Sequence, residues 1–432
     1  MSNMKDSGIT WCGQIPNNWD VMPNKYVMYK KKELCPVYNG EDILSLTMDG
    51  VIVRDLEAGG KMPATFDGYQ IVYPNNLLMC LFDYDVTPRC IGLIKNKGLT
   101  SPAYSQFVMK NGNNPNYYYY YYLMLDNTKE LLHLAKNLRH SFTEDQLGAI
   151  NTPVPPIEEQ ERIALFLDSK CAEIDSLYSD IEKQVQTLEE YKKSVITTAV
   201  TKGLNHKVEM KDSGIKWIGY TPKNWEIIRL KYASWLKGRI GWQGLRADEF
   251  IEDVNCPYLI TGTDFNEGFI NWDTCVHITE DRYFQDFAIH IREEDLLITK
   301  DGTIGKVAVA KNCPEKVSLN SGVFIIRNTG KYKYNDRYMY YLLQSEQFTK
   351  WYDLSNPGNS TIKHLNQEKF YNFQFTYPDI TTQIEIATYL DNKCRKIDII
   401  IKEKKEQLNI LSEYKKSIIY EYVTGKKEVP VK

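Results

Sequence analysis

Residues Ile157 to Gly203 read IEEQERIALFLDSKCAEIDSLYSDIEKQVQTLEEYKKSVITTAVTKG, and the chain contains this stretch twice. The second copy, Thr381 to Gly425, reads TTQIEIATYLDNKCRKIDIIIKEKKEQLNILSEYKKSIIYEYVTG. The two copies align without a gap, so that Gln160 matches Gln383 and both end in the tetrapeptide YKKS followed by an apolar tail. A duplication of this length indicates a scaffold that is used twice.

Both copies are predicted to form long helices. Prolines precede each copy and a glycine follows it, as is typical of helix starts and helix ends. Apolar residues recur at alternating steps of four and three, which is the spacing of a coiled-coil seam. The seam residues are Leu167, Cys171, Ile174, Tyr178, Ile181, Val185 and Leu188, then Leu390, Cys394, Ile397, Ile401, Lys404, Leu408 and Leu411, of which Lys404 departs from the apolar pattern. The alternative is a pair of amphipathic helices, each packed on its own domain.

A shorter repeat precedes each helix-containing half. Met4 to Trp19 read MKDSGITWCGQIPNNW, and Met210 to Trp225 read MKDSGIKWIGYTPKNW. The order is therefore short motif, variable domain and long helix, repeated once. We predict five segments: 1–152 (motif and first variable domain), 153–208 (first long helix), 209–377 (motif and second variable domain), 378–425 (second long helix) and 426–432 (tail).

The variable domains are predicted to be α+β, because short strand-like runs precede a helical stretch in each. The predicted strands are Asp42 to Leu46, Gly50 to Arg54, Leu77 to Phe82, Cys90 to Lys95, Tyr258 to Thr261, Leu296 to Thr299, Val307 to Ala310 and Gly322 to Arg327. The helical stretches are Asn116 to Lys136, which includes six consecutive tyrosines, and Asp336 to Leu354. The tyrosines could stack on bases, but the equivalent position of the two stretches favours packing on a sheet.

The repeat predicts how the helices pair. A helix of about 46 residues is about 69 Å long. The second variable domain starts at the end of the first helix and finishes at the beginning of the second, and a compact domain can join these ends only in an antiparallel pair. We therefore predict an α+β protein in which an antiparallel pair of long coiled-coil helices separates two globular domains, with a pseudo-two-fold axis.

Composition indicates a globular chain with real cores: 432 residues, 43% hydrophobic and 25% charged. No apolar run approaches the length of a membrane span and the N-terminus has no apolar signal core, so we expect a cytoplasmic protein. The nine cysteines are scattered singly and the six histidines form no zinc motif, so reduced thiols and no metal are expected. The net charge of −3 means that any DNA-binding charge must be local or supplied by partners.

Catalytic motifs are not evident in the sequence. Asn114-Pro115-Asn116-Tyr117 is similar to an amino-methyltransferase motif, but it lacks the second proline and a glycine-rich cofactor loop. The run Asp301 to Gly305, DGTIG, lacks the spacing of a phosphate loop and is predicted to be a β-turn. The chain is therefore interpreted as non-enzymatic.

The whole chain resembles the specificity subunit of type I restriction–modification systems. The resemblance rests on the repeated MKDSGIxWxGxxPxxW, on the helix starts PPIEEQERIALFLD and YPDITTQIEIATYLD, and on the helix ends LxxEYKKSxI. The runs KGRIGWQGL, YLITGTDF and EEDLLITKDGTIGKVAVA, and in the first half GVIVRDLEAGGKMPATFDGYQ and CLFDYDVTPRC, are similar to target-recognition domains of that family.

The resemblance implies a non-catalytic, DNA-binding subunit of an antiphage defence complex. Its two target-recognition domains would read the two halves of a bipartite double-stranded DNA target. It would dock two modification subunits, which methylate adenine with S-adenosylmethionine, and restriction subunits could join as an ATP-dependent nuclease. Cofactors are then expected on the partners only, with S-adenosylmethionine, ATP and Mg bound there.

Candidate DNA-contacting residues are cationic, hydroxyl or amide side chains in the loops of both variable domains, since these groups bind phosphates and base edges. They are Lys61, Arg89, Arg139, Ser141, Arg239, Gln243, Arg246, Lys300, Lys306, Thr361 and Lys363. Gln243 or Arg246 is hypothesised to read bases. Two alternatives remain open: a coiled-coil adaptor that binds only proteins, and an enzyme with an unrecognised site.

Overall fold

The computed structural model describes residues 3–58, 63–135, 140–205, 207–240, 244–329, 331–357 and 364–430. The chain divides into two compact units: Met1–Glu182 with Glu406–Lys432, and Lys183–Lys405. Each unit contains one variable domain and a portion of both long helices. Each unit also has its own large hydrophobic core.

Two of the ten α-helices found in the described residues are far longer than the rest. The helices are α1 Asn24–Val27, α2 Pro115–Thr128, α3 Glu144–Ala149, α4 Ile157–Lys202, α5 Leu230–Ala233, α6 Glu280–Phe284, α7 Asp336–Gln344, α8 Glu346–Ser355, α9 Gln367–Tyr371 and α10 Ile380–Val423. Short 3₁₀ turns cover Glu130–Leu134, Ala247–Glu249, Trp272–Thr274 and Phe287–Ile289. The two predicted long helices are α4, with 46 residues, and α10, with 44.

The first unit is built around an antiparallel four-stranded sheet with the order β4-β11-β8-β9. The strands of this unit are β1 Met4–Asp6, β2 Gln14–Pro16, β3 Asp20–Pro23, β4 Met28–Lys31, β5 Leu44–Thr47, β6 Gly50–Val53, β7 Gln70–Val72, β8 Leu77–Met79, β9 Ile91–Leu93, β10 Gly98–Thr100, β11 Ser105–Met109 and β12 Asn151–Val154. The remaining strands pair as β1-β2, β3-β12, β5-β6 and β7-β10. All four strands predicted here from the sequence are confirmed.

The second unit contains a six-stranded sheet with the order β16-β24-β21-β22-β19-β18. The strands of this unit are β13 Met210–Asp212, β14 Tyr220–Pro222, β15 Glu226–Arg229, β16 Ser234–Lys237, β17 Tyr258–Ile260, β18 Phe265–Asn266, β19 Phe269–Ile270, β20 Val276–His277, β21 Leu296–Thr299, β22 Val307–Val309, β23 Val317–Leu319, β24 Val323–Asn328 and β25 Gln374–Tyr377. A second sheet has the order β20-β17-β23, and β13 pairs with β14 and β15 with β25. Four neighbours in the larger sheet, β16-β24-β21-β22, repeat the antiparallel order of the first unit's main sheet, β4-β11-β8-β9.

The long helices run antiparallel within the first unit. The ring of Phe166, near the start of α4, lies 4.4 Å from the ring of Tyr422, near the end of α10. Nine residues further along α4, Lys415 Nζ donates to Asp175 Oδ1 at 2.6 Å. Early residues of one helix therefore meet late residues of the other.

The same orientation occurs within the second unit. Lys192, late in α4, donates to Asp398, early in α10, at 2.6 Å. Val185 packs with Ile397 and Ile401 in a small apolar cluster. The predicted antiparallel pairing is thus confirmed in each unit, and the predicted seam residues are buried or half-buried.

The tyrosine run in α2 packs inside the first unit. Tyr117, Tyr118, Tyr120, Tyr121 and Tyr122 are all buried. Tyr117 donates its hydroxyl to the Val423 carbonyl at 2.9 Å, and in the second unit Tyr338 donates to the Val200 carbonyl at 3.3 Å. These bonds satisfy carbonyls at the ends of the long helices, which lack helical partners. The packing interpretation of the tyrosine run is confirmed.

Two helix predictions need a correction. The predicted stretch Asn116 to Lys136 is interrupted, because Lys129 adopts left-handed backbone angles that end α2 at Thr128, and a 3₁₀ turn follows. The stretch Asp336 to Leu354 is two helices, α7 and α8, which meet at Ser345. Ser345 has extended backbone angles and its side chain accepts from the backbone N–H of Gln347, so it caps α8 instead of continuing α7.

The repeated short motif forms a hairpin beside the end of a long helix in each unit. Trp19 and Trp225 of the motif are buried. The glycines that follow the helices have positive φ, and a Cβ on Gly425 would lie 2.4 Å from Pro16, while one on Gly203 would lie 3.2 Å from Trp225. These contacts explain why each helix ends in glycine at this point.

Candidate nucleic-acid interface

In each unit, a hairpin loop of the main sheet contacts the segment that precedes the long helix in the sequence. We name residues 80–90 and 300–306 the first and second hairpin loops, and residues 140–143 and 364–366 the first and second pre-helix segments. Phe142 donates its backbone N–H to Leu81 at 2.7 Å, and Leu365 donates to Lys300 at 2.8 Å. Equivalent backbone bonds thus bring the predicted loop and pre-helix residues together in both units.

The second hairpin loop contains the predicted DGTIG turn. Thr299 Oγ1 donates to the Thr303 carbonyl and accepts from the Lys306 N–H, which closes the turn. Gly305 has φ +84°, and a Cβ there would lie 2.9 Å from the Phe348 ring. Glycine therefore lets this turn lie directly on α8.

Lys306 and Lys300 flank this turn but differ in environment. Lys306 is exposed. Lys300 is 8% exposed, its Nζ lies 4.7 Å from the centroid of the Phe324 ring, and burial lowers the pKa of its ammonium group. Of the two lysines, Lys306 has the exposure that a phosphate contact needs.

Arg239 lies inside the second domain. It is 1% exposed, and its guanidinium donates to the Leu319 carbonyl at 2.8 Å and to Ser318 Oγ at 3.1 Å. Burial lowers the pKa of Arg239 to about 10, so it stays charged at neutral pH. The structure therefore places Arg239 as a support for the strand β23 and the segment that follows it, and its predicted DNA contact stays a prediction.

Arg246 is exposed and its loop is fixed at one end. The side chain of Asn320 both accepts from the Leu245 N–H at 3.0 Å and donates to the Leu245 carbonyl at 3.1 Å. Two residues later, the Gly322 carbonyl accepts from the Lys300 N–H at 2.8 Å. The Arg246 loop and the second hairpin loop are thus joined through the segment 318–322.

In the first unit, Arg89 and Ser141 lie beside the first hairpin loop. Arg89 is half-buried, and its Nε and Nη1 have no hydrogen-bond partner among the described residues. Its guanidinium faces Tyr119 of α2, where burial raises the pKa of the tyrosine and Arg89 partly offsets that rise. Ser141 lines an open cavity of about 510 Å³ with Lys30 and Glu144. The predicted residues Lys61, Arg139, Gln243, Thr361 and Lys363 lie outside the described residues.

Two histidine–aspartate pairs were not predicted from the sequence. His140 Nδ1 lies 2.8 Å from Asp85 Oδ2, and His364 Nδ1 is paired with Asp301 Oδ1. The hydrogen bond from His140 holds the pKa of the Asp85 carboxyl below its ordinary value. The signal in the sequence was the place of each histidine directly after a predicted cationic residue, but pairing it with a loop aspartate requires the fold.

The long helices present apolar side chains to solvent in both units. Leu165, Ile410 and Tyr414 are exposed in the first unit, and Ile384 and Ile399 in the second. Exposed apolar residues grouped on a helical scaffold are typical of surfaces that bind another protein. In each unit these side chains form a second candidate site, which we name the scaffold face of that unit.

Within the described residues, no three His, Cys, Asp or Glu side chains are grouped so that they could bind a metal ion. No described helix has both the length and the apolar composition needed to cross a membrane.

Comparison with known proteins identifies related chains. A curated relative, the MjaVIII type I restriction enzyme specificity subunit of Methanocaldococcus jannaschii, is 27% identical over 285 residues, which are 64% of this chain and 62% of the relative. The EcoBI specificity subunit of Escherichia coli is 24% identical over 282 residues, which are 63% of this chain and 57% of the relative. The chain thus spans about three fifths of the length of these curated relatives.

A solved structure supports the fold. A chain from a study of complex assembly and conformational transition of the type I R-M system matches with a TM-score of 0.70. It covers 96% of this chain and 99% of that chain at 13% identity, so the likeness is one of fold.

The family assignment rests on a match to the family model itself. The model of the type I restriction modification DNA specificity domain matches residues 91–187 and 222–409, more than half of the chain. The two matched ranges include the main sheet of the second unit, the strands β9 and β11 of the first unit's main sheet, and most of both long helices. The chain therefore belongs to the type I restriction–modification DNA specificity family, in which DNA target recognition is the shared function.

Proposed function

We propose that this chain reads a bipartite double-stranded DNA target, one half with each unit, and docks two modification subunits. The observation that carries the proposal is the repeated internal arrangement. Both units place a hairpin loop of a four-strand arrangement against a pre-helix segment, yet the loops themselves differ in sequence and length. A shared frame with unlike loops suits the reading of two unlike half-sites.

The interface chemistry supports DNA as the ligand. Arg246 and Lys306 are exposed cations on loops that are joined through the segment 318–322. Loops fixed by main-chain bonds can present such groups to phosphates and base edges with little loss of entropy. With a net charge of −3, the chain would rely on partner subunits for much of the remaining phosphate contact.

The scaffold faces of the two units support the docking of two modification subunits. The helix pairing contacts recur in both units, with Lys415–Asp175 in one and Lys192–Asp398 in the other. Helix pairs whose contacts recur in this way offer the same backbone frame to two copies of one partner, although the exposed apolar side chains of the two scaffold faces differ. In this proposal the chain performs no catalysis, and S-adenosylmethionine, ATP and Mg are bound by the modification and restriction subunits of a cytoplasmic complex.

The experiment is a reconstitution. The chain is mixed with the modification subunit of the same system and S-adenosylmethionine, and methylated adenines are mapped on a plasmid library. The expected result is methylation at one asymmetric sequence with two specified parts separated by an unspecified spacer.

One control reaction and two possible outcomes distinguish this proposal from its alternatives. The modification subunit alone should not methylate selectively. Partner binding without DNA selectivity would contradict the proposal in favour of a protein-binding adaptor, and methylation by the chain alone would indicate an enzyme.

A further inference from the structure

Both units contain the same exposed histidine–aspartate pair in otherwise unlike loops. The first hairpin loop, CLFDYDVTPRC, and the second, KDGTIGK, differ in length and sequence. Even so, each provides an aspartate to the histidine of the pre-helix segment, beside the equivalent backbone bond. The two loops differ elsewhere but repeat this pair, which indicates a task that is common to both half-sites. Contact with the DNA backbone is such a task.

The geometry of the pair leaves one edge of each ring available. Nδ1 of His140 and of His364 is bonded to a carboxylate, and the side chains are 44% and 48% exposed. No described residue bonds Nε2 of either ring. A ring nitrogen that bears a hydrogen can donate to an anion, so Nε2 of each ring is free to donate while Nδ1 is bonded to the carboxylate.

The surroundings suit an anion at Nε2. Exposed Lys306 lies on the same hairpin loop as Asp301, while Lys300 is buried beneath it. Backbone bonds hold each ring in place: the His140 carbonyl accepts from the Tyr84 N–H at 3.2 Å, and His364 is bridged to Asp301. A cation fixed in this way loses less freedom on binding than a lysine on a flexible side chain.

We propose that His140 and His364 each bind a phosphate group of the DNA backbone through Nε2, with Asp85 and Asp301 as positioning residues. This inference rests on the DNA reading proposed above and names two of its contacts. It assigns them to phosphates because both units share them, whereas contacts to bases would have to differ between unlike half-sites.

The test measures the salt dependence of DNA binding. The chain in complex with its modification subunit is titrated on a duplex with its methylated sequence and on a scrambled duplex, from about 50 to 200 mM salt. His140→Ala and His364→Ala should each lower the slope of log K against log salt by about 0.9, and the double variant by about 1.8. At 0.1 M salt each single variant should bind about eightfold more weakly on both duplexes. His133→Ala is the matched control, because that ring is bonded to the Glu130 carbonyl and not to either hairpin loop.

Further variants separate a phosphate contact from a structural role. His140→Arg and His364→Arg keep a cation and should restore most of the slope. Asp85→Asn and Asp301→Asn should weaken binding in the native background but have no additional effect in the His→Ala background, as expected for residues that act through the rings. The urea unfolding midpoint of every variant is measured as a check on folding.

The outcomes are distinguishable. An unchanged slope and affinity in the double variant, with wild-type binding intact, would overturn this inference and leave the proposed function standing. A changed methylated sequence would also overturn it, since phosphate contacts do not select bases. Absence of selective binding by the wild-type complex would instead contradict the proposed function itself.

Discussion

Single buried amides connect the variable domains to the long helices. Gln160 Oε1 accepts from the Asn114 N–H at 2.8 Å, and its Nε2 donates to Asn113 Oδ1 and to the Pro155 carbonyl. Gln383 repeats the first of these contacts with the Asn335 N–H and donates to the Pro378 carbonyl. In each unit one fully buried side chain thus links the start of the tyrosine-containing helix to the start of the long helix.

Replacing Gln160 by alanine should lower the stability of the first unit by about 2–4 kcal/mol, because it leaves buried donors and acceptors unpaired. Gln186→Ala on the same helix is the control. That side chain is exposed and, among the described residues, bonds only Glu190, so its cost should stay within about 0.5 kcal/mol. Urea unfolding followed by circular dichroism measures both. Equal costs for the two variants would contradict the role of Gln160.

Arg239 and Arg246 of the second domain should separate effects on stability from effects on DNA binding. Arg239→Ala removes bonds to Leu319 and Ser318 from the interior and should cost about 2–4 kcal/mol. Arg246→Ala should change stability by less than about 0.5 kcal/mol and weaken DNA binding. Unfolding curves and binding titrations on the reconstituted complex test the pair. A stable Arg239→Ala variant would show that these bonds are dispensable.

The contrast between Arg239 and Arg246 also shows how much of the site could be predicted from the sequence. An arginine between glycines and an exposed arginine look alike in sequence, and only the fold buries Arg239 against β23. The His140–Asp85 pair was likewise out of reach, because a hairpin loop and a pre-helix segment far apart in the chain must meet first. What could be predicted was the neighbourhood: Arg246, Lys306 and Ser141 lie on the loops and segments named from sequence.

At the scale of elements, periodicity predicts most of the architecture. The seam of α4 and α10 is a physical repeat, so burial follows directly from spacing, as Leu167 and Leu390 at 0% exposure illustrate. Short strands were identified because apolar β-formers alternate between turn residues. The break between α7 and α8 at Ser345 was not predicted, because an apolar pattern continues across it. The bond from the Gln347 N–H to the serine hydroxyl, which marks the start of α8, is visible only in the structure.

The apolar seam should stabilise the helix pair far more than its surface ion pairs. Leu167→Ala should cost about 2–5 kcal/mol through lost burial and the cavity left behind. Lys415→Ala removes a pair with Asp175, whose carboxylate is 60% exposed, and should cost less than about 1 kcal/mol. Urea unfolding at 0.05 and 0.5 M salt compares them, and only the lysine variant's effect should depend on salt. A larger cost for Lys415→Ala would be contrary to this ranking.

The start of α10 provides a pH-dependent element. Asp379 accepts from the Thr382 hydroxyl at 2.7 Å and from its N–H at 2.9 Å, and these bonds lower the pKa of the Asp379 carboxyl below its ordinary value of 3.8. A depressed carboxyl pKa stabilises the fold above the unfolded-state pKa, and this contribution is lost as pH falls through the folded-state pKa.

Asp379→Ala should therefore cost about 1 kcal/mol at pH 7, as for other helix caps, and the difference from wild type should shrink as the pH falls below about 4. Asp379→Asn keeps a capping oxygen and should cost less at pH 7. Urea midpoints at pH 7, 5 and 3.5 provide the test. A cost that is independent of pH would show that the charge of Asp379 contributes nothing.

At the scale of the whole molecule, each variable domain is inserted into its scaffold through one antiparallel strand pair. In the first unit β3 pairs with β12, and the Asn24 N–H donates to the Ile150 carbonyl at 2.9 Å. In the second unit β15 pairs with β25, and the Leu230 N–H donates to Phe373 at 2.9 Å. The chain therefore enters and leaves each domain at adjacent points, which permits exchange of a domain without change to its unit's helices.

A chimaera in which the domain of another family member replaces residues 230–373 should keep one half of the methylated sequence and change the other. The incoming domain must contain a tyrosine equivalent to Tyr338, whose hydroxyl bonds the Val200 and Thr376 carbonyls, and a Gln383 partner equivalent to Asn335. Methylome sequencing of reconstituted complexes gives the result. A matched chimaera cut inside the sheet, between β21 and β22, should fail to fold because it splits a hydrogen-bonded hairpin. If both halves of the target changed in the well-folded chimaera, the proposal that each unit reads one half would be wrong. If one half were retained, that half would be assigned to the first unit, which contains the loops around His140 and Ser141.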